Sequence, residues 1–419
     1  MASKNPLHPI PHPARKPIVG NLLSIGSDSP VLDMWKIAQD LGGIYWLDMP
    51  GMPVVVISDH ELVNELVDEK RFDKSTNGAL RRLRAASHGL FTSDTHESTW
   101  SKPHNILLAN FSQRAMQAYH PMMLDIAEQL VAKWERMNFD DEVDVTRDMT
   151  ALTLDTIGLC GFGYRFNSFY REGFHPFVDA MVRTLETVQD RRGLPLEELM
   201  MKKQLAQQRK DIKFMHQMVE DIIRERRASG ADIASKPDLL SYMIAGVDKK
   251  SGEKLDDKQI RDECIEFLIA GHETTSGLLS FAIYYLLKDP AILAKAQAEV
   301  DSVFGTDLTQ RPTYAQVNRL QYIGQILKEA LRMFPTAPAI AKRALANTAI
   351  GEGGKYTIHK RNMVILHALA MHRDKRVWGE DADEFNPEHF SREAERALPP
   401  NAFKPFGTGQ RACIGRQFA

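Results

Sequence analysis

The chain has 419 residues, of which 43% are hydrophobic and 26% charged, with 53 Lys and Arg against 55 Asp and Glu. This composition is typical of a globular protein and excludes disordered, collagen-like and coiled-coil classes. The formal net charge of −2 gives no reason to expect binding to nucleic acid. Three cysteines are too few for a disulfide framework, and no apolar stretch reaches the roughly 18 residues that a membrane span needs. We therefore expect a cytoplasmic protein without a membrane span.

The predicted elements divide the chain into a helical middle and two strand-rich regions. A proline-rich lead-in is followed by β-branched and aromatic runs at about 40–60, which predict a hairpin through Pro50-Gly51. From about 61 to 339, apolar residues recur at three- and four-residue spacing, which predicts helices. Short strands return at about 340–370. The predicted strands are Ile44–Leu47, Val54–Ile57, Lys342–Leu345, Tyr356–Ile358 and Met363–Leu366. The expected fold is one large domain over 1–419, mostly α with a minor antiparallel β region (α+β).

One predicted helix differs from the others in length and burial. Asp256 is placed as its N-cap with Gln259 at the capping-box position, and Asp289-Pro290 ends it, so we expect a helix from about Asp257 to Lys288. Both halves are apolar nearly all round, whereas the centre, 270–275, holds a glycine and several polar side chains. Polar groups at the centre of a buried helix cost stability, which indicates a function.

Two alternatives apply to the centre of this helix. A zinc-protease motif would need a second histidine four residues after His272, and that position is Ser276, so this hypothesis fails. The other is purely structural: the threonine hydroxyls bond back to main-chain carbonyls of a core helix. Taken alone, the residues leave the structural interpretation and a functional one equally open.

Glu329 and Arg332 lie three residues apart on a predicted helix that stops at Phe334-Pro335. Such a pair, taken alone, is usually exposed to solvent and contributes a few tenths of a kcal/mol.

Cys413 lies in a glycine-rich run close to the last residue. Cys160 and Cys264 stand among apolar helical residues and are expected to be buried and inert. Cys413 instead follows two glycines and an arginine, just before a predicted helix start, where backbone amides stabilise a thiolate. That thiolate could act as a nucleophile or as an iron ligand. The overlapping G-x-G-x-x-A pattern at 407–412 is rejected as a dinucleotide site, since no βαβ unit surrounds it.

The run around Cys413 resembles the haem-thiolate signature F-x-x-G-x-R-x-C-x-G of the cytochrome P-450 family. Further family motifs occur in the family's order: A-G-x-E-T at 270–274, E-x-x-R at 329–332, and W-x-x-x-R/H at 100–104. Runs such as 71–74 and 152–161 are similar to the self-sufficient fatty-acid hydroxylases, in which the haem domain is fused to a flavin reductase. The resemblance covers essentially the whole chain and implies the cytochrome P-450 fold, with no reductase domain in this chain.

The resemblance implies a role for each matching residue. Cys413 would be the thiolate ligand of the iron of haem b, beside Phe406. The residues expected to meet the haem propionates are Lys74, Trp100, His104 and Arg411. Thr274 and Glu273 would organise water and protons, and Ala270 would lie over the porphyrin. Phe91 and Ala337 would line the substrate pocket, and Glu329, Arg332 and a third partner would form a structural group.

Three departures from the family pattern are visible. His389 stands in the segment 386–390 where the family usually has arginine, and a histidine cannot reproduce the five-donor fork of arginine. Met52 and Val56 occupy the hairpin positions where the fatty-acid class tends to place an Arg and a Tyr that bind the substrate carboxylate. The chain stops at Ala419, so we expect it to be C-terminally truncated.

The resulting functional prediction is a haem-thiolate monooxygenase that hydroxylates C–H bonds of fatty acids or similar apolar chains with O2. Electrons would come from NADPH through the FAD and FMN of a flavin reductase, fused or separate. Two alternatives stay open: a haem-binding fragment without activity, and a peroxide-using or isomerising haem-thiolate enzyme. The pair Glu273-Thr274 argues against the second alternative, because such enzymes need no external electrons and protons.

Overall fold

The structure is a computed structural model that describes residues 9–17, 19–26, 29–49, 52–191, 196–229, 236–305, 307, 309–360 and 362–419. The chain divides into two compact units, each discontinuous in sequence. The first unit comprises Met1–Ser75 and Phe281–Cys413, and the second comprises Thr76–Ser280 and Ile414–Ala419. The predicted Pro50-Gly51 turn lies outside the described residues, and the single-domain assignment stays a prediction.

The described helices and strands have the following bounds. The strands are β1 (Ile44–Met49), β2 (Met52–Ile57), β3 (Phe72–Lys74), β4 (Ala339–Ala344), β5 (Thr348–Ile350), β6 (Tyr356–Ile358) and β7 (Met363–His367). The helices are α1 (Pro30–Leu41), α2 (His60–Leu66), α3 (Ala79–Leu83), α4 (Ser98–Leu107), α5 (Gln113–Trp134), α6 (Val145–Phe162), α7 (Pro176–Asp190), α8 (Glu197–Met200), α9 (Lys202–Ala228), α10 (Leu239–Ala245), α11 (Asp257–Lys288), α12 (Pro290–Phe304), α13 (Tyr314–Val317), α14 (Gln321–Met333), α15 (Ala368–Met371), α16 (Lys375–Trp378) and α17 (Arg392–Ala397). The fold is mostly α with small sheets, as predicted.

The first unit contains a five-stranded sheet in the order β1-β2-β7-β4-β3 and a separate β5-β6 hairpin. Strands β1 and β2 pair antiparallel from Ile44 opposite Ile57 to Met49 opposite Met52. Strands β2 and β7 run parallel, whereas the other pairs in the sheet are antiparallel. The sheet therefore joins segments about 300 residues apart in sequence into one layer.

The apolar run of β2 reflects a sheet that is covered on both faces. Val55 and Ile57 pack in one cluster with residues of α2, whereas Val54 and Val56 pack in another with Met34 of α1. Because successive side chains of a strand point to opposite faces, a strand buried on both sides is apolar throughout. Each valine or isoleucine buried in this way contributes about 1.5–3 kcal/mol to the free energy of unfolding.

The core of the second unit is built from helices. Helix α6 begins after Asp144, whose carboxylate accepts a hydrogen bond from the amide of Arg147. It is terminated by Gly163, which follows Phe162 and has a left-handed φ of 62°. Its residues are buried nearly all round, and they join a single apolar cluster with residues of α7, α9, α10 and α11.

Helix α11 begins and ends as the sequence predicts. The amide of Gln259 donates to the Asp256 carboxylate at 2.8 Å, and the Gln259 side chain accepts from the Asp256 amide at 3.2 Å, which completes the predicted capping box. The helix contributes Asp257–Ser280 to the second unit and Phe281–Lys288 to the first. Among the described residues, no single helix is both long and apolar enough to cross a membrane; α11 and α12 meet that criterion only as a pair, across a bend of 112°.

Candidate functional site

The loop from Phe406 to Cys413 in the first unit adopts backbone angles that require glycine at two positions. Gly407 and Gly409 have φ angles of 71° and 69°, in the left-handed region that other residues avoid. A Cβ at Gly409 would collide with the carboxylate of Glu69, which accepts from the amide of Gln410. The amide of Cys413 donates to the carbonyl oxygen of Phe406 at 2.8 Å and closes the loop. The loop ends at Cys413, whose side chain is exposed.

The three cysteines differ in their fitness as metal ligands. Cys160 and Cys264 are buried, as predicted, and Cys413 is exposed. Burial raises the pKa of Cys160 to about 12 and raises the pKa of Cys264 well above its ordinary value. Because the thiolate is the form that binds a metal, the two buried thiols are poor donors. The donor chemistry of an iron–thiolate group therefore fits Cys413.

Other predicted site residues of the first unit lie on different elements. Phe406 and Arg411 are half-buried in the Cys413 loop. Lys74 is half-buried on β3, opposite Lys342 of β4. Ala337 is exposed just before β4.

The hairpin does not support the substrate contact predicted for Val56. The side chain of Val56 is fully buried in the cluster between the sheet and α1, because its face of β2 is covered by that helix. It therefore presents no surface to a ligand, and its assignment to the substrate site is corrected. Met52 pairs with Met49 in the hairpin, and its side chain lies outside what the structure describes.

Helix α11 exposes one stripe at its centre. Ala270, Glu273 and Thr274 are exposed and, being spaced i, i+3 and i+4, share one face of the helix. The hydroxyl of Thr274 donates to the carbonyl oxygen of Ala270 at 2.8 Å. Glu273 is an exposed residue, but partial desolvation by the surrounding protein raises the pKa of its carboxyl. The stripe therefore combines a hydroxyl with an acid that retains its proton more readily than usual.

The opposite side of the same turn is packed against α6. A Cβ at Gly271 would lie 2.9 Å from Cγ1 of Ile157, so a glycine is needed for this close approach. His272 is buried; its Nδ1 lies 2.7 Å from the carbonyl oxygen of Leu268, and its own carbonyl accepts from the hydroxyl of Thr153. Desolvation lowers the pKa of His272, so this residue is a neutral part of the core. The polar centre of the helix thus has a structural side and an exposed side.

Two further predicted residues of the second unit meet on α4. The rings of Trp100 and His104 are stacked with centroids 5.0 Å apart, one turn apart on the helix. Phe91 precedes this helix on a loop and is 41% exposed. The amide of Phe91 donates to the carboxylate of Glu266. Glu266 and its neighbour Glu263 were missed by the sequence analysis, since two acids on a helix carry no signal of a buried role.

Glu329 and Arg332 of α14 form a completely buried ion pair rather than an exposed one. The guanidinium donates from Nε and Nη2 to the two carboxylate oxygens at 2.7 and 2.6 Å. Its remaining N–H groups reach three main-chain carbonyl oxygens, those of His372, Ala382 and Glu384, at 2.6–2.9 Å. All five donors of the arginine are therefore used, which offsets the cost of burying its charge.

His389 completes this buried group. Its Nδ1 lies 3.1 Å from Oε1 of Glu329, and its Nε2 lies 3.2 Å from Oδ1 of Asp381. Desolvation lowers the pKa of His389, but its hydrogen bond and attraction to Glu329 raise it by more, and the net pKa is raised. A histidine therefore reaches the carboxylate that the absent arginine was expected to meet.

The predicted site residues thus fall into two sets, one in each unit. The first unit holds Met52, Val56, Lys74, Glu329, Arg332, Ala337, His389, Phe406, Arg411 and Cys413, and the second holds Phe91, Trp100, His104, Ala270, Glu273 and Thr274. Within the sets, the structure brings together Cys413 with Phe406, Glu329 with Arg332 and His389, Trp100 with His104, and Thr274 with Ala270.

Comparison with known proteins gives one consistent result. The family model named cytochrome P-450 matches residues 10–419. A bifunctional cytochrome P-450/NADPH–P-450 reductase of Bacillus cereus and one of Bacillus subtilis (strain 168) are each 52% identical over 413 residues, 98% of this chain. A self-sufficient cytochrome P-450 monooxygenase of Exserohilum turcicum is 42% identical over 420 residues. The chain spans 38–39% of the length of these relatives.

Proposed function

Because the chain belongs to the cytochrome P-450 family, we propose that it is the haem-thiolate monooxygenase part of a self-sufficient enzyme. The reaction is the insertion of one oxygen atom of O2 into a C–H bond of a medium or long apolar chain, such as that of a fatty acid. The observation that carries this proposal is Cys413, the exposed one of three cysteines, at the end of a loop whose glycines and closing hydrogen bond fit the family signature.

Residues of this chain would hold the haem by two kinds of contact, a thiolate ligand to the iron and partners for the propionates. Cys413 provides the thiolate ligand, and Phe406 lies beside it through the hydrogen bond from the Cys413 amide. Lys74, Arg411, Trp100 and His104 offer N–H groups or positive charge to the two propionates. When bound, a haem iron with a thiolate ligand supplies the activation of O2 and favours cleavage of its O–O bond.

The exposed stripe of α11 is the proposed proton-handling surface. The Thr274 hydroxyl gives its hydrogen to the carbonyl oxygen of Ala270, so its oxygen is oriented as an acceptor for water. Burial raises the pKa of Glu273, so its carboxyl keeps a proton to a higher pH than an ordinary glutamate does and can act as a proton donor. Ala270 adds a small apolar surface beside these groups.

The substrate and the electron source follow from the same proposal. Phe91 and Ala337, both exposed, would line the path of the apolar chain, whose burial contributes about 0.8 kcal/mol per CH2 to binding. Electrons would come from NADPH through the FAD and FMN of a reductase; the names of the bifunctional relatives include an NADPH–P-450 reductase. The three free cysteines support a reducing compartment, the cytoplasm.

The test is turnover by the purified, haem-containing chain with a separate NADPH-dependent flavin reductase and dodecanoic acid. We expect NADPH and O2 to be consumed, with a product one oxygen atom heavier than the substrate. Product formed from hydrogen peroxide alone, and none from NADPH with the reductase, would favour the peroxide-using alternative. A haem-containing protein that forms no product in either reaction would favour the inactive-fragment alternative.

A further inference from the structure

The loop segment Gly89–Thr92 is bound by two carboxylates of α11 through its main chain. The amides of Gly89 and Thr92 donate to Oε1 of Glu266 at 3.0 and 3.3 Å, and the amide of Phe91 donates to Oε2. The Thr92 hydroxyl donates to the same carboxylate at 2.7 Å. One carboxylate thus collects four donors from three residues of the segment.

The fourth amide of the segment goes to the second carboxylate. The amide of Leu90 donates to Oε1 of Glu263 at 3.0 Å. A Cβ at Gly89 would lie 2.5 Å from that same oxygen, so the main chain of the segment rests directly on the carboxylate. Every backbone N–H from Gly89 to Thr92 is therefore directed to one of two acids spaced three residues apart on α11.

These two acids are unusual in being buried together. Glu263 and Glu266 are exposed by only 1% and 4%. Desolvation and the neighbouring charge of Glu266 raise the pKa of Glu263 well above its ordinary value. Two buried carboxyl groups of like charge are costly unless hydrogen-bond donors stabilise them, and here those donors are main-chain amides. The acids and the segment therefore hold each other in one conformation.

The segment presents one aromatic ring. Phe91 is 41% exposed as a residue, although the residues on both sides of it are anchored through their amides. Because a fixed main chain limits the directions in which a ring can point, the two acids fix where Phe91 stands.

We infer that Glu263 and Glu266 are positioning residues that set the site of oxidation along the substrate by holding the main chain that carries Phe91. This inference rests on the proposed function, in which the ring of Phe91 contacts the apolar chain. Neither acid touches the substrate; both act through the segment Gly89–Thr92. The position of oxidation on the substrate should therefore change when Glu263 or Glu266 is substituted, even though Phe91 itself is not substituted.

The test uses Glu266→Gln and Glu263→Gln in the full haem-containing chain, assayed with the reductase and dodecanoic acid. Glutamine keeps the size of each side chain but replaces one acceptor oxygen by an NH2 group, which cannot accept hydrogen bonds from the amides. We expect Glu266→Gln, which affects more donors, to shift the ratio of hydroxylated positions severalfold, and Glu263→Gln to shift it less. The matched control is Asp155→Asn, since Asp155 is also buried in the second unit and its carboxylate binds the amide and hydroxyl of Ser168.

A role in general stability alone would lower the unfolding temperature of all three variants and leave every product ratio unchanged, which would overturn the inference. A second arm combines Glu266→Gln with Phe91→Ala. If the acid acts through the ring, its substitution adds no further change in product ratio once the ring is absent. An undiminished additional shift would contradict the inference.

A third arm keeps the inference testable if a variant loses haem or folds poorly. Hydrogen exchange of the Gly89–Thr92 amides in the unmodified chain should be slow, comparable with that of the α11 amides, and should become faster in Glu263→Gln. Fast exchange in the unmodified chain would overturn the positioning role. An unmodified chain that forms no hydroxylated product would overturn the proposed function and the specificity role with it, whereas an active chain with unchanged ratios in both variants would overturn this inference alone.

Discussion

Replacing His389 by alanine should destabilise the first unit, and by more at low pH than at high pH. His389 lies between Glu329, which is fully buried, and Asp381, whose side chain is 41% exposed. The charged groups that act on it are these two acids and Arg332, which is paired with Glu329 and whose charge opposes protonation of His389. The net effect is a raised pKa, so the folded state favours the charged imidazolium.

The sign of the pH dependence follows from this raised pKa. A histidine whose pKa is higher in the folded state stabilises that state fully below its unfolded pKa of about 6.5, and the contribution disappears as the pH rises through the folded pKa. The charged hydrogen bond to Glu329 contributes about 1.5–3 kcal/mol, and the partly exposed pair with Asp381 about 0–1 kcal/mol. The edge-to-face contact with Trp378, at 5.9 Å between centroids, adds about 0.5–1.5 kcal/mol at any pH.

His389→Ala should therefore lower the free energy of unfolding by about 2–5.5 kcal/mol at pH 6 and by about 0.5–1.5 kcal/mol once the imidazole is neutral. The assay is urea unfolding of both proteins across this pH range, with the difference between them taken at each pH so that the other titrating groups cancel. His96→Ala, at an exposed histidine of the second unit, is the control and should show little difference. A His389→Ala difference that is constant with pH, or that grows as the pH rises, would refute the charged interaction with Glu329.

Two further predictions concern single side chains. Arg332→Lys keeps the charge but reduces five N–H donors to three, which leaves about two buried acceptors unpaired. The free energy of unfolding, measured in urea, should therefore fall by about 2–6 kcal/mol. A loss below about 1 kcal/mol would mean that the arginine's contacts are dispensable. Thr274→Ala should fold normally, because the residue is exposed and alanine favours helix, but should divert NADPH electrons into hydrogen peroxide. If the ratio of product formed to NADPH consumed stays unchanged, the Thr274 hydroxyl has only a structural role, its hydrogen bond to the Ala270 carbonyl oxygen.

The sequence predicts an element well where its signals are local. The ends of α11 follow from Asp256, Gln259 and the Asp289-Pro290 pair, and the structure has the same bounds. Strand β3 was not predicted, since its pairing depends on distant residues, such as Phe72 opposite Ala344. Strand β5 was also missed, although its equally short partner β6 was predicted. The parallel pairing of β2 with β7 is equally non-local.

Burial explains the remaining differences at the candidate site. The spacing of Glu329 and Arg332 alone suggests a solvent-exposed pair, yet the acceptors that allow Arg332 to be buried are carbonyls 40–52 residues further along the chain. Val56 was placed at the substrate because it matches a hairpin position of the fatty-acid class; that match does not show that its face of β2 is covered by α1. Glu263 and Glu266 gave no signal, because their partners are main-chain amides, which every sequence contains.

The central claim is that Cys413 is the thiolate ligand of a haem iron, and the difference spectrum of the reduced protein with carbon monoxide tests it most directly. The unmodified chain, Cys160→Ala and Cys264→Ala should all give the red-shifted Soret band that a thiolate ligand produces, and Cys413→Ala should lose it. Retention of that band in Cys413→Ala, or its loss in either of the other two variants with haem still bound, would contradict the assignment.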